Sequence, residues 1–175
     1  MTKTTDKLQL FEQGSIILLH GVFDPIFFRS LKKDAGKHVV TLEGRPGLEA
    51  ARKSQVELAK RKIIPTLISD NMAGFLLYKG LVKEVWLAYQ SYDGNGALCQ
   101  IGGLILGVLG KKHNVPVYIY PNDGRRKLMG KTADISFFNG VRVAPRGVSG
   151  YVPLAEWVPV KYITKVYGQD ARRKL

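Results

Sequence analysis

Short apolar runs rich in β-branched residues alternate with amphipathic segments along most of this chain, and this alternation limits the folds open to it. The runs predict strands at Ser15–His20, Lys37–Glu43, Ile63–Ser69, Glu84–Gln90 and Pro116–Tyr120. Apolar residues at three- and four-residue spacing predict helices at Pro25–Ala35, Pro46–Lys60, Asp70–Tyr78 and Ala97–Lys112. Strands separated by helices predict an α/β fold, namely one Rossmann-like, doubly wound domain with a mostly parallel sheet and helices on both faces.

The pattern becomes less regular after Lys131. Ala133–Phe138 and Val141–Ala144 are predicted to form a hairpin, because Asn139-Gly140 between them is a strong turn signal. An irregular loop follows, and Pro159–Gly168 is predicted to be a closing helix. We therefore expect an N-terminal extension over residues 1–14, one domain over 15–168 and a basic tail over 169–175.

Composition excludes several classes of protein. The chain has 175 residues, of which 45% are hydrophobic and 23% are charged, which is typical of a globular domain. Its single cysteine, Cys99, excludes an intramolecular disulfide and multi-cysteine metal sites, so we predict a reducing compartment, the cytoplasm, and no metal or cofactor. No apolar stretch approaches the length of a membrane span.

The formal net charge of +13 leaves two interpretations open. Most lysines and arginines fall at the ends of predicted helices, where cations are favourable and solvated. The alternative is an RNA-binding surface that includes Arg125–Lys127 and the tail Arg172–Lys174, although no recognisable reader motif is present.

In doubly wound sheets the ligand lies beyond the carboxyl ends of the strands. The residues that follow the predicted strands are polar and glycine-rich, as expected of a crevice for a small anion. Candidate ligand-binding residues there are Arg45, Asp70, Asn71, Gln90, Asn95, Gly96 and Gln100. Arg45 could clamp a phosphate or pair with Glu43, and Asp70 and Asn71 could also cap a helix. Backbone amides near Gly96 could hold an anion, although a turn with close packing explains the glycines equally simply.

An ordered series of segments resembles one family. The segments are Ile17–His20, Glu43–Pro46, Ala51-Arg52, Thr66–Ala73, Asn95-Gly96, Ile101-Gly102, Pro116–Tyr118, Pro159 and Tyr162–Thr164. Their order and spacing over residues 15–168 resemble the initiation factor 2B α/β/δ-like proteins. That family includes methylthioribose-1-phosphate isomerase and ribose-1,5-bisphosphate isomerase, and the resemblance implies their C-terminal α/β domain.

The resemblance implies the catalytic positions as well. The isomerases of this family have a cysteine after the first strand and an aspartate after a later one, a pair that can relay a proton. Here these positions are Gly21 and Gln90, and neither can exchange a proton near neutral pH. A lysine expected to meet phosphate is replaced by Gln100. We therefore predict no catalytic residues.

These observations favour a catalytically silent, initiation factor 2B-like domain that acts by protein–protein association and retains a sugar-phosphate or nucleotide pocket. The resemblance implies a homodimer, and a further chain could supply the helical domain that family members carry before this one. Two alternatives stay open: an aldose-phosphate isomerase that uses other groups, such as Asp93 or Cys99, and the RNA-binding protein described above.

Overall fold

The computed structural model describes residues 11–30, 38–124 and 126–168, and of Ser30 only the backbone. Eight strands of these residues form one sheet. They are β1 (Ile16–His20), β2 (Val39–Leu42), β3 (Thr66–Ile68), β4 (Val82–Tyr92), β5 (Gly96–Gln100), β6 (Val117–Pro121), β9 (Ala155–Pro159) and β10 (Lys165–Val166). The helices are α1 (Pro25–Ser30), α2 (Glu49–Ala59), α3 (Met72–Tyr78), α4 (Gly103–Lys112) and the short α5 (Ala133–Ser136). A separate hairpin pairs β7 (Phe137–Phe138) with β8 (Val141–Arg142).

The predicted α/β fold is confirmed. The main path of the sheet has the order β10-β6-β4-β1-β2-β3, and every neighbouring pair along it is parallel. The chain builds outward from β1 through β2 and β3 and then returns to place β4 on the other side of β1. The winding therefore reverses between β1 and β4, where such sheets bind ligands.

Alternation along the strands produces two cores, one on each face of the sheet. Ile16 and Leu18 of β1 pack in one cluster with side chains of α3 and α4. Ile17 and Leu19 point to the other face and pack with side chains of α1 and α2. Because successive side chains of a strand point to opposite faces, a strand that is apolar throughout requires helices on both sides.

Two predicted helices are wrong in part. The segment predicted as one helix over Ala97–Lys112 begins as strand β5, which pairs antiparallel with β4 and with β9, and α4 starts only at Gly103. Backbone pairing on both sides of β5 outweighs its local helical pattern. The predicted closing helix over Pro159–Gly168 is instead a 3-10 helix, Val160–Tyr162, followed by β10, which extends the sheet beside β6.

Smaller differences concern element ends. Helix α2 begins at Glu49 rather than at Pro46, since Leu48 has a left-handed backbone conformation that a helix does not accept. The first strand predicted in the 133–144 hairpin is mostly helix α5, although the turn at Asn139-Gly140 is present. Strand β9 was not predicted. The predicted end of the first helix, part of the N-terminal extension and the basic tail lie outside the described residues.

None of the helices in the described ranges has the length and apolar character needed to cross a bilayer.

Candidate functional site

A cavity of about 330 Å³ opens at the carboxyl ends of the parallel strands, beside the point where the winding reverses. Most of its walls come from segments that follow strands. The lining residues are Val22, Gly44–Gly47, Glu49, Ala88, Gln90, Gln100, Ile101, Asn122, Arg126, Lys127 and Leu154. The position agrees with the ligand crevice predicted for this class of sheet.

Asp70, which follows β3, shapes the loop that carries Arg45. One carboxylate oxygen accepts a hydrogen bond from the backbone N–H of Gly44 at 2.9 Å, and the other accepts one from the N–H of Arg45 at 2.7 Å. A Cβ on Gly44 would lie 2.8 Å from the Gln100 amide nitrogen and 2.8 Å from the Ala50 Cβ, so only glycine fits. Asp70 therefore supports the cavity wall, and neither its side chain nor that of Asn71 caps α3.

Three of the predicted site residues line the cavity together: Arg45, Gln90 and Gln100. The Gln90 side-chain oxygen accepts a hydrogen bond from the backbone N–H of Arg126 at 2.9 Å. The Arg45 guanidinium lies over the ring of Phe138, 4.9 Å from its centroid, which joins the β7–β8 hairpin to the cavity.

The other predicted site residues lie elsewhere. Asn71 is exposed and its side-chain oxygen accepts a hydrogen bond from the Ser69 hydroxyl. The Asn95 carbonyl accepts a hydrogen bond from the N–H of Val160 at 2.8 Å. Gly96 lies in β5, where a Cβ would come within 2.5 Å of the Val158 carbonyl oxygen, so its glycine serves close packing. The structure does not bring Asn95 and Gly96 to the cavity.

Four charged side chains form an ion-pair network at the cavity rim. Glu49 and Lys53 of α2 meet Asp123 and Arg126 of the segment after β6. Hydrogen bonding to Asp123 raises the pKa of Lys53. Burial alone would raise the pKa of Asp123, but hydrogen bonds from Lys53 and Arg126 outweigh it and lower that pKa. The network ties α2 to the β6 side of the cavity.

His20 supports the cavity floor from within the protein. Its Nε2 donates a hydrogen bond to the Ile101 carbonyl oxygen at 2.8 Å, and the side chain is 2% exposed. Burial lowers the pKa of His20, so its imidazole is held neutral. A neutral, buried imidazole of this kind orients the adjoining turn, and His20 is not among the residues that line the cavity.

Sequence reasoning missed Glu49, Asn122, Arg126 and Lys127 as site residues. The last three follow the predicted strand Pro116–Tyr120, so their position at a strand end could have found them. No feature of the sequence indicated Glu49 as a site residue, because its place in the cavity depends on where α2 begins. Within the described ranges, no group of three or more histidine, cysteine, aspartate or glutamate side chains is arranged to hold a metal ion.

The sequence is similar to one family of known proteins. The profile of the Initiation factor 2 subunit family matches residues 7–168. Methylthioribose-1-phosphate isomerase of Thermus thermophilus is 31% identical over 142 residues, covering 74% of this chain and 43% of that protein. The isomerase of the same name from Syntrophus aciditrophicus is 34% identical over 148 residues, covering 77% of this chain and 40% of that protein.

Solved structures show the same fold. The translation initiation factor eIF-2B subunit delta from A. fulgidus superposes with a TM-score of 0.75 at 22% identity, covering 90% of this chain and 53% of that one. The 5-methylthioribose 1-phosphate isomerase from Pyrococcus horikoshii OT3 superposes with a TM-score of 0.73 at 24% identity, covering 90% and 50%. The chain thus spans about half the length of these relatives or less.

Proposed function

This chain belongs to the Initiation factor 2 subunit family, and we propose that it is a non-catalytic member that acts by binding. Its cavity holds a phosphorylated small ligand, a sugar phosphate or a nucleotide, and the domain associates with a second copy of itself. In this proposal the chain differs from the relatives that are named isomerases, because it binds a ligand without converting it.

The conformation of Gly21 carries the argument against catalysis. This residue has φ +106°, a region that side chains rarely adopt, and a Cβ there would lie 2.7 Å from the Ala88 Cβ. Gly21 holds the position at which the family's isomerases have a cysteine. Since the backbone leaves no room for any side chain there, packing as well as sequence argues against a proton-transfer group at this position.

The other groups considered for proton transfer do not serve the cavity. Burial raises the pKa of Cys99 to about 12, and its side chain packs in the core. Asp93 lies in the turn between β4 and β5, where its carboxylate accepts a hydrogen bond from the N–H of Asn95. Gln90 lines the cavity, but its amide does not ionise near neutral pH and so cannot act as an acid or a base. These placements support binding without turnover.

Cationic side chains support an anionic ligand. Arg45, Arg126 and Lys127 line the cavity, and Glu49 is the only carboxylate among the lining residues of the described chain. Glu49 and Arg126 belong to the rim network, whose two cations and two carboxylates balance, so Arg45 and Lys127 give the lining its positive charge. Arginine is suited to phosphate because its planar fork donates two parallel hydrogen bonds.

Calorimetric titration and a turnover assay together test the binding role. Methylthioribose 1-phosphate, ribose 1,5-bisphosphate and AMP are titrated into the full chain, and ketose formation is followed with the two sugar phosphates. We expect saturable binding of at least one compound and no ketose above the uncatalysed rate. Ketose formed at enzymatic rates would overturn the non-catalytic assignment, and an absence of binding by all three would overturn the ligand assignment.

A pair of arginine variants locates the bound ligand. Arg45 and Arg142 both lie over rings of the β7–β8 hairpin, at 4.9 Å and 4.5 Å from the centroids of Phe138 and Phe137, but only Arg45 lines the cavity. Hydrogen bonds to charged groups contribute about 1.5–3 kcal/mol, so Arg45→Ala should weaken binding at least tenfold. Arg142→Ala should leave it unchanged, and equal losses would contradict the assignment.

Exposed apolar side chains support association. Met72, Phe75 and Tyr78 of α3 and Ile105 and Val108 of α4 are exposed although large and apolar. The two helices contact each other on one face of the sheet, so these side chains can form one surface. Such a surface is typical of an interface rather than of a monomer.

Sedimentation velocity tests this surface. The full chain should sediment as a dimer, and Phe75→Glu should shift it to a monomer by placing a charge in the interface. Val56→Glu is the matched control, because Val56 is also exposed but lies on α2, away from this surface. A monomeric wild type, or dissociation caused equally by both variants, would refute the proposed dimer.

A further inference from the structure

A second cavity, of about 380 Å³, lies at the amino end of β6, away from the candidate ligand site. Its walls are the end of α4, the turn into β6 and the 3-10 helix with the residues after it. We call it the lysine groove, defined by its lining residues Gly110, Lys111, Asn114, Val115, Pro116, Val117, Lys161, Tyr162, Ile163 and Thr164.

The walls of the lysine groove are held by close packing. A Cβ on Gly107 would lie 3.0 Å from the Tyr162 Cβ, and one on Gly110 would lie 2.6 Å from a methyl group of Val117. The backbone N–H of Val117 donates to the Thr164 hydroxyl oxygen at 3.0 Å. The two glycines thus let the 3-10 helix and β6 approach α4, and this packing forms the walls of the groove.

Positive charge gathers around one aromatic ring in this groove. The ammonium nitrogens of Lys111 and Lys161 lie 5.8 Å and 5.1 Å from the centroid of Tyr162. Lys112, which is also exposed, is the chain neighbour of Lys111. Lys165 follows Thr164 but lies apart from the groove, because its ammonium is over the ring of Tyr167, which stacks on Tyr120 at the opposite face of the sheet. In the described part of the chain, no carboxylate comes within 4 Å of the ammonium groups of Lys111, Lys112 or Lys161.

The described carboxylates nearest in sequence to these lysines are engaged elsewhere. Asp123 pairs with Lys53 and Arg126 at the rim of the other cavity. Asp134 accepts the N–H of Lys131, and Glu156 accepts the N–H groups of Gly102 and Leu104 at the start of α4. The lysine groove therefore has no counterion in the described chain, and mutual repulsion of its cations favours an external anion.

We propose that the lysine groove binds single-stranded nucleic acid through the phosphate backbone, with a base against Tyr162. Three cations in and beside one groove exceed what one phosphate group needs, which favours a chain of phosphates over a single anion. Lysines act as point charges without a fixed fork, so they contact phosphates with little sequence preference. A half-buried aromatic ring between cations is the arrangement on which unpaired bases stack.

Fluorescence anisotropy with labelled twelve-nucleotide RNA and DNA oligomers tests the proposal as a function of salt. Each lysine that neutralises a phosphate of a single strand adds about 0.7 to the magnitude of the slope of log affinity against log salt, so three give a slope of about −2.1. Between roughly 50 and 200 mM salt the wild type should then lose affinity about 18-fold. Lys111→Gln with Lys161→Gln should reduce the slope to about −0.7, leaving a loss of about threefold.

The matched control removes the same charge elsewhere, by combining Lys131→Gln with Arg146→Gln. Both residues are exposed, and they follow Lys127 of the other cavity along the chain. This control should keep the wild-type slope, and thermal unfolding should show that both double variants are folded. Loss of slope only in the Lys111 and Lys161 variant supports the proposal, whether RNA or DNA binds more tightly.

Three results would overturn it. The first is no binding at the lowest salt concentration, and the second is an equal change in both double variants. The third is displacement of the oligomer by inorganic phosphate or AMP at the same phosphate concentration, which would identify a site for one anion. None of these outcomes depends on the ligand or the turnover of the other cavity.

Discussion

Gly21→Ala adds a single methyl group at the position that the family resemblance matches to the cysteine of the isomerases. Two costs are expected. A side chain at φ +106° is strained, which costs about 1–3 kcal/mol. The added Cβ would also lie 2.7 Å from the Ala88 Cβ, and overpacking of this kind costs about 1–3 kcal/mol more.

Gly94 separates the two costs. Its φ of +92° is similar, but nothing lies within 4 Å of a Cβ built there. Gly94→Ala therefore carries the backbone strain without the clash. We expect Gly21→Ala to lower the free energy of unfolding by about 2 kcal/mol more than Gly94→Ala, which corresponds to about 4–8 °C in Tm for a chain of this size.

Urea unfolding of both variants gives these values, and a double variant tests the cause. Ala88→Gly removes the methyl group that the new Cβ meets, so in the Gly21→Ala background it should restore part of the lost stability. If Gly21→Ala costs no more than Gly94→Ala, or Ala88→Gly gives no recovery, the position is not closed by packing. The structural argument against catalysis would then fail.

Three further predictions concern buried or bonded groups. Asp70→Asn should lower the free energy of unfolding by about 2 kcal/mol, because the carboxylate that accepts the N–H groups of Gly44 and Arg45 loses its charge. Asp93→Asn, in an exposed turn, should change the free energy of unfolding little, and urea unfolding measures both. Burial lowers the pKa of His20, so below its ordinary pKa of 6.5 the unfolded chain binds the proton more readily than the folded chain does. The free energy of unfolding should therefore decrease as the pH decreases, by up to about 1.4 kcal/mol per pH unit. His20→Gln should flatten that decline, and equal slopes in the wild type and in this variant would contradict the assignment. Cys99, with a pKa of about 12, should react with a thiol reagent under mildly alkaline conditions only after unfolding, and rapid labelling of the folded chain would show that the thiol is accessible.

The candidate site was predictable where it depends on strand ends. Arg45 and Gln90 follow or end strands whose apolar runs are plain in the sequence, so their convergence at one edge follows from parallel pairing. Asn95 and Gly96 were expected at the same edge because a helix was predicted directly after them. The chain forms β5 there instead, and the turn that contains Asn95 lies beyond the end of the parallel strands.

The residue pattern of a short segment failed to predict secondary structure where the strands that pair with that segment are distant in sequence. The segment Gly96–Gln100 becomes a strand because β4 and β9 hydrogen-bond to it from both sides, and β9 lies far along the chain, at Ala155–Pro159. Likewise, β10 forms near the end of the chain's described part because β6 offers an open edge. Such contacts have no counterpart in the periodicity of a short window.

The sequence alone determined the α/β class, the parallel strands and the edge where a ligand would lie. It also determined that positions 21 and 90 carry no ionisable side chain, because each of these features follows from local residue type and spacing. Only the tertiary structure decided that Gly21 has no space for a side chain, that Asp70 clamps the Arg45 loop and that Lys111 and Lys161 meet around Tyr162. These features depend on distances between segments far apart in the chain, and those distances are set by how the whole core packs.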